Sequence, residues 1–148
     1  WHLGEKQHWR KHALWEDTTR TTLIFSTPKT RASSSPAPRD CPRVVSLIDL
    51  YPTISDLCGI KTPENLDGQS IAPLLKDPTQ TWDRPALMTF GEGNHALRTE
   101  HWRFIRYKDG GEELYDHRID PNEWNNLAKQ NHEATLSSMR TKLAEMLK

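Results

Sequence analysis

The sequence lacks the features that define several large classes of protein. Its 148 residues include only two cysteines, Cys41 and Cys58, which are too few for a disulfide framework or a four-cysteine metal site. Two unpaired small side chains are favoured over a single disulfide, and the redox compartment stays open. No apolar run approaches the roughly 18 residues that a membrane span needs.

An excess of charge of one sign is also missing. Twenty Lys and Arg residues balance twenty Asp and Glu residues, which argues against a nucleic acid or an anionic membrane as partner, because both attract a basic surplus. Hydrophobic residues make up only 34% of the chain, and much of the apolar mass lies in six Trp, three Tyr and three Phe. Because Trp rather than Met stands at position 1, we expect a fragment or a processed product.

The first part of the chain carries α/β patterns. Segments 22–25 and 44–48 are predicted as short strands, the first of them buried on both faces. Residues 27–43 between them, rich in Pro and Ser, are predicted as a solvated loop. Asp49 is a candidate N-cap for a helix. That helix is predicted to carry one apolar face, formed by Leu50, Ile54, Leu57 and Cys58.

The last third of the chain changes class. Four short β-type runs separated by Gly-bearing turns predict an antiparallel meander over 86–90, 95–99, 102–107 and 112–117. A C-terminal helix with Asn131 as cap is predicted to pack on it through Leu136, Met139, Leu143 and Met146. The predicted fold class is therefore α/β, followed by a small α+β subdomain with a four-stranded antiparallel sheet packed on that helix. The predicted domains are residues 1–85 and 86–148.

Basic and aromatic side chains are concentrated in residues 1–12. Lys, Arg and His side chains can all donate to an oxyanion, so one interpretation is an anion-binding edge, and the other is a solvated loop with a local charge cluster. His8 and His12 have the spacing of two zinc ligands on a helix, but no Glu follows His8, so metal binding is not predicted. These residues alone indicate a hydrolase or an anion-binding fragment.

Five segments, in order, resemble type I sulfatases of the alkaline-phosphatase-like superfamily. Residues 1–11 are similar to the segment that follows the metal-binding Asp-His-Gly, and 16–25 to the E-x-x-T/S-R-x-P-L-I-F strand, with Thr22 in place of proline. The other segments are 45–54 (V-S-L-x-D-L-Y-P-T-L), 66–71 (L-D-G-x-S-L) and 113–127 (E-L-Y-D-x-x-x-D-P-x-E-x-x-N-L). Residues 91–98, with the Trp1 opening, resemble the iduronate-2-sulfatase-like bacterial branch.

The resemblance implies the C-terminal part of a sulfatase that hydrolyses a sulfated carbohydrate or another sulfate ester, using a formylglycine hydrate beside a calcium ion. Lys11 matches the lysine that contacts the sulfate group, where it would neutralise the oxygens and assist departure of the leaving oxygen. Trp1 would form a wall of the pocket, and His8 lies near Lys11 in the sequence. Asn94 and His95 are expected to reach the leaving group, or else simply to form a turn and begin a strand.

Cys41 departs from the family pattern. The sequence Cys41-Pro42-Arg43 is not C-x-P-S/A-R, so the formylglycine and the calcium ligands are expected upstream, and this chain alone is predicted to be inactive. The resemblance also implies a periplasmic or extracellular parent. Two alternatives stay open. One is a phosphonate or phosphate ester hydrolase of the same superfamily, and the other is a non-catalytic module that binds sulfated glycans.

Overall fold

The computed structural model describes residues 2–28 and 40–148, which form two compact units. The first, the sheet unit, contains residues 2–21 and Pro85–Lys148. The second, the inserted unit, contains the described residues of Thr22–Arg84. The division at residue 85 into two domains of a parent protein stays a prediction. Within this chain, residues 2–21 belong with the sheet that follows much later in the sequence.

The sheet unit is built on four short strands. They are β1 (Ala86–Thr89), β2 (His95–Arg98), β3 (Trp102–Arg106) and β4 (Glu112–Asp116). All neighbouring strands pair antiparallel in the order β1-β2-β3-β4. The predicted meander is therefore confirmed, because short connections between consecutive strands favour antiparallel neighbours.

Both faces of this sheet are covered. Leu97, Phe104 and Leu114 pack against the long helix (Glu133–Met146) that closes the chain. That contact confirms the predicted role of its apolar positions, Leu136, Met139 and Leu143, all of which are buried. On the opposite face, Ala96, Ile105 and Tyr115 pack against Leu14. The first residues of the chain therefore supply the second cover of the sheet.

Asn131 is not the cap of this last helix. The N-cap position is His132, at φ −119°, and its side chain makes no capping hydrogen bond. The Leu136 N–H donates to the His132 carbonyl at 2.9 Å. The helix start is thus fixed by this backbone hydrogen bond and by burial of Leu136. Asn131, one residue before the N-cap, does not determine it.

The inserted unit differs from its predicted strands. Residues 22–25 form no strand, and 44–48 end in a 3-10 turn at Leu47–Asp49. Among the described residues, every strand belongs to the four-stranded sheet, so neither segment has a neighbour with which to form a ladder. Because a strand gains its backbone hydrogen bonds only from a neighbour, β-prone sequence alone does not produce one here.

Asp49 organises the inserted unit instead of acting as a simple helix cap. Its carboxylate is fully buried and accepts hydrogen bonds from the backbone N–H groups of Ser46 and Gln69, both at 2.9 Å. It also forms an ion pair with Arg84 at 2.5 Å. A Cβ on Gly68 would lie only 2.1 Å from the Ile48 carbonyl oxygen, so this backbone approach requires glycine at position 68.

The helix that follows Asp49 spans Leu50–Leu57 and is followed by a shorter one at Ala72–Lys76. The helix Leu50–Leu57 buries the face opposite to the predicted one, since Pro52, Thr53 and Ser55 are its buried residues. Ile54 is 52% exposed and Leu57 is 46% exposed.

Within residues 2–28 and 40–148, none of the helices combines the length and the apolar character that crossing a bilayer requires.

Candidate functional site

The chemistry-bearing residues 2–12 form a closed turn, here called the N-terminal loop. The Gly4 N–H donates to the His8 carbonyl at 3.1 Å, and the His2 N–H donates to the Arg10 carbonyl at 3.4 Å. Gly4 adopts φ 126°, and a Cβ there would lie 3.0 Å from the Trp9 ring. Glycine at position 4 therefore allows both the backbone path and the approach of the Trp9 ring.

The N-terminal loop is anchored on Trp15. The rings of His2 and His8 meet the Trp15 ring edge to face, with centroids 5.4 and 5.7 Å away. The Trp15 Nε1–H donates to a Glu113 carboxylate oxygen on β4 at 2.7 Å. His2 is 1% exposed, and burial lowers its pKa. Neither ring nitrogen of His2 has a hydrogen-bond partner among the described residues.

Lys6, at the tip of the N-terminal loop, is enclosed by aromatic rings. Its Nζ lies 4.6 Å from the Tyr115 ring centroid, 5.2 Å from that of Trp15 and 5.8 Å from that of Trp124. The ammonium group also donates to the Glu123 backbone carbonyl. Burial lowers the pKa of Lys6, against the opposing influence of nearby carboxylates. An ammonium against three ring faces is a favourable cation–π arrangement.

The predicted sulfate-contacting residue, Lys11, lies exposed on the outgoing arm of the N-terminal loop, between exposed Arg10 and His12. The His12 ring stacks on that of Phe90, with centroids 5.3 Å apart. The Phe90 N–H donates to the Asn94 carbonyl at 3.0 Å. The structure therefore brings the segment that carries Lys11 next to the turn that carries Asn94.

The other predicted binding residues have local partners. The Asn94 side chain accepts from the Lys108 N–H at 3.1 Å and donates to the Glu92 carbonyl at 3.2 Å. His95 begins β2, and its Nδ1 lies 2.9 Å from the Thr89 hydroxyl. These contacts give both residues a structural role in the turn, and their role in substrate binding stays a prediction. Trp1 lies outside the described residues.

A buried network of charges lies below the N-terminal loop, and sequence reasoning missed it. Arg103, only 1% exposed, forms ion pairs with Glu16 and, at 2.5 Å, with Glu123. The Arg103 guanidinium also donates to the Leu14 carbonyl at 2.8 Å, and His117 lies 2.7 Å from Glu123. The sequence signal for it is weak: Glu16 and Glu123 lie in two of the family-like segments, but no pattern pairs them with Arg103.

The same carboxylates raise the question of a metal. Ligand atoms of Glu16, His117 and Glu123 lie within 4.8 Å of one another. The guanidinium of Arg103 already pairs with both carboxylates, however, and it holds the pKa of Glu16 low despite burial. Calcium requires six to eight oxygen ligands. This cluster therefore does not fit the calcium ion that the sulfatase resemblance implies.

The two cysteines do not fit the implied formylglycine either. Cys41 and Cys58 are both exposed and form no disulfide in the structure. Neither lies in the sheet unit, where the N-terminal loop is found. The described residues thus provide an exposed basic segment at 10–12. Neither cysteine is a candidate for the catalytic nucleophile.

Comparison with known families gives a match over almost the whole chain. The family described as N-sulphoglucosamine sulphohydrolase, C-terminal, matches residues 4–148. Among curated proteins, a sulfatase of Formosa agariphila is 36% identical over 126 residues, which cover 85% of this chain and 24% of that protein. The chain thus spans about a quarter of the length of this relative.

Solved structures agree with this match. A protein of Bacteroides thetaiotaomicron assigned as a sulfatase superimposes with a TM-score of 0.73 at 25% identity, covering 94% of this chain and 32% of the other. A 2-O GAG sulfatase superimposes with a TM-score of 0.56 at 30% identity, covering 66% of this chain and 23% of the other. The first superposition covers nearly the whole chain, and the second covers about two thirds of it.

Proposed function

The chain belongs to the sulfatase family, as part of its C-terminal region, and from this premise we propose that the parent protein hydrolyses sulfate esters on a sulfated carbohydrate. One observation carries the proposal. The exposed basic run at 10–12 adjoins the turn at 91–94 through the stacked rings of His12 and Phe90. A tetrahedral anionic ester bound there would meet cationic donors from one side.

In this proposal Lys11 acts on the sulfate group itself. Its ammonium neutralises non-bridging oxygens and stabilises charge on the leaving oxygen, so its contribution is largest in the transition state. Asn94 and His95 contact the leaving-group sugar, while a substrate-binding role for His8 and Trp1 stays a prediction from the resemblance. A formylglycine and a calcium ion, held by residues outside this chain, would supply the nucleophile and the Lewis acid.

The substrate class rests on similarity. The 2-O GAG sulfatase at 30% identity acts on a glycosaminoglycan, as its description states, and this supports a sulfated sugar as substrate for the parent protein. Membership of the iduronate-2-sulfatase-like branch stays a prediction from residues 91–98. The position of the sulfate on the sugar is left to experiment.

The test uses the complete parent protein, assayed with a sulfated disaccharide and with an aryl sulfate. Lys11→Ala is expected to lower kcat/KM by about 100- to 1,000-fold, the usual loss when one group that stabilises transition-state charge is removed. Lys129→Ala, at an exposed position on the same unit, is the matched control and is expected to keep full activity. Wild-type activity in Lys11→Ala contradicts the proposal.

Two further measurements separate the alternatives. Higher kcat/KM for phosphonate or phosphate esters than for sulfate esters would identify the parent as the other hydrolase of the superfamily. The 148-residue chain alone is expected to show no calcium-dependent turnover of an aryl sulfate. If the parent is also inactive while the chain binds sulfated glycan in a manner lost in Lys11→Ala, the non-catalytic binding module is correct.

A further inference from the structure

Lys6 lies at the far end of the N-terminal loop from Lys11 and points inward into the sheet unit. We propose that Lys6 is a positioning residue, whose ammonium, enclosed by Trp15, Tyr115 and Trp124, fixes the loop that presents Lys11 to the substrate. This inference rests on the proposed function, because it assigns a role in the same site to a second lysine. Lys6 itself touches no substrate in this account.

The first support is the backbone at the tip of the N-terminal loop. Lys6 and Gln7 adopt φ values of 52° and 57°, a left-handed conformation that non-glycine residues rarely adopt unless their surroundings impose it. The Gln7 N–H donates to the Gly4 carbonyl at 3.0 Å, and the His8 N–H donates to the Glu5 carbonyl at 3.0 Å. In addition to the contacts of His2 and His8 with Trp15, Lys6 ties this turn directly to β4 through Tyr115.

The second support is the nature of that anchor. The Lys6 ammonium combines three ring contacts with hydrogen bonds to the Glu123 carbonyl and, at 3.4 Å, to the Tyr115 hydroxyl. Glu123 is itself fixed by its ion pair with buried Arg103. An uncharged side chain of the same length would fill the volume but would lose the cation–π contacts and the donated hydrogen bonds.

The third support is the mechanical path from Lys6 to Lys11. The two arms of the N-terminal loop are tied by the hydrogen bonds from Gly4 to His8 and from His2 to Arg10. Lys11 directly follows Arg10, the last residue held by this pairing. Displacing the tip would therefore shift the arm that carries Lys11, and a displacement of about 1 Å at a reacting group can cost about 100-fold in rate.

Kinetics of the parent protein test the coupling of the two lysines. Lys6→Met is expected to lower kcat/KM by roughly 10- to 100-fold, and Lys6→Arg, which restores a cation, recovers part of that loss. If Lys6 acts through Lys11, the double variant Lys6→Met/Lys11→Ala is no worse than Lys11→Ala alone, to within about twofold. Multiplying losses, or full activity in Lys6→Met, overturns the inference. Lys129→Met is the matched control.

Amide hydrogen exchange in the 148-residue chain gives a readout that does not depend on activity. In Lys6→Met, the amides of Gly4 and His8 are expected to exchange about tenfold faster or more, whereas the Leu127 amide, bonded to the Leu114 carbonyl at 2.8 Å, keeps its rate. Unchanged exchange at Gly4 and His8 overturns the role of Lys6 alone. Wild-type activity in Lys11→Ala overturns the proposed function, while faster exchange would still show that Lys6 orders the loop.

Discussion

The two units of the chain differ in what they bury. In the sheet unit the inside holds large apolar side chains such as Leu97 and Phe104, together with the charge network around Arg103. In the inserted unit Asp49 and Thr53, at 0% exposure, are buried beside Ile71 and Leu74, at 3%, while Ile24 is 81% exposed. The sheet unit is organised by an extended hydrophobic core, and the inserted unit combines a small apolar core with hydrogen bonds to a buried carboxylate.

The two units also differ in whether their apolar surfaces are covered by residues of the same unit. The strands of the sheet unit have their neighbours, and both faces of the sheet have their covers, within the same chain. In the inserted unit the apolar side of the helix Leu50–Leu57 faces outward. Amphipathic patterning therefore has a different meaning in the two units, since only in the first does the predicted apolar face coincide with the observed core.

The largest expected effect would break the contrast by removing the buried charge of the sheet unit. Arg103→Met leaves the Glu16 and Glu123 carboxylates without their shared partner, and loss of one member of a buried ion pair costs about 3–5 kcal/mol. Urea titration of the wild type and of Arg103→Met gives the difference in their free energies of unfolding. Arg20→Met, at an exposed position on the same unit, is the control. A loss below about 1 kcal/mol in Arg103→Met would show that the network is dispensable.

A pair of truncations sharpens the contrast between the two helices. Leu143→Ala, at 0% exposure in the last helix, removes a core side chain and is expected to cost about 3–5 kcal/mol. Ile54→Ala, at 52% exposure in the inserted unit, is expected to change stability by no more than about 0.5 kcal/mol. Thermal or urea unfolding of both variants measures this. Equal losses would mean that the two apolar faces are equally buried in solution.

The smallest expected effect is a pH dependence located in the sheet unit. Burial lowers the pKa of His2, so the unfolded chain binds a proton first as the pH falls below about 6.5, and the free energy of unfolding decreases there. The Arg103 guanidinium holds the pKa of Glu16 low despite burial, which adds a second decrease below about 4.5. Urea midpoints between pH 7.5 and 3 measure both steps.

Two variants identify the groups responsible. His2→Phe is expected to flatten the step near pH 6.5 and to leave the lower one unchanged. Glu16→Gln is expected to reduce the lower step, to which Glu112 and Asp116 also contribute because Arg140 and Arg118 lower their pKa values. It is also expected to reduce stability at neutral pH, since it weakens the ion pair with Arg103. A step near pH 6.5 that persists in His2→Phe would assign it to another histidine.

Sequence patterns predicted the sheet unit well because its determinants are local. Gly-bearing turns fix the meander, and a three- and four-residue spacing places Leu136, Met139 and Leu143 on the buried side of the last helix. The segment at 22–25 failed because a strand requires a neighbour, and none of the described strands lies beside it. Local propensity does not determine that outcome.

The candidate site was predicted only in part, for a similar reason. The resemblance identified Lys11 from a matching position, but the enclosure of Lys6 depends on Tyr115 and Trp124, which lie more than a hundred positions away in the sequence. The pairing of Arg103 with Glu16 likewise joins residues 87 positions apart. Such contacts arise from the topology of the sheet unit, and a single sequence contains no pattern that pairs them.

The divided sequence of the sheet unit has a consequence for biosynthesis. Residues 2–21 leave the ribosome well before Arg103 and Glu123, the partners that fix them. Until those residues have been translated, Trp15 and the His2 and His8 rings packed on it have no sheet to cover. The segment that carries the proposed sulfate-binding lysine is therefore translated before the residues that fix it, and it adopts this structure only after Arg103 and Glu123 have followed.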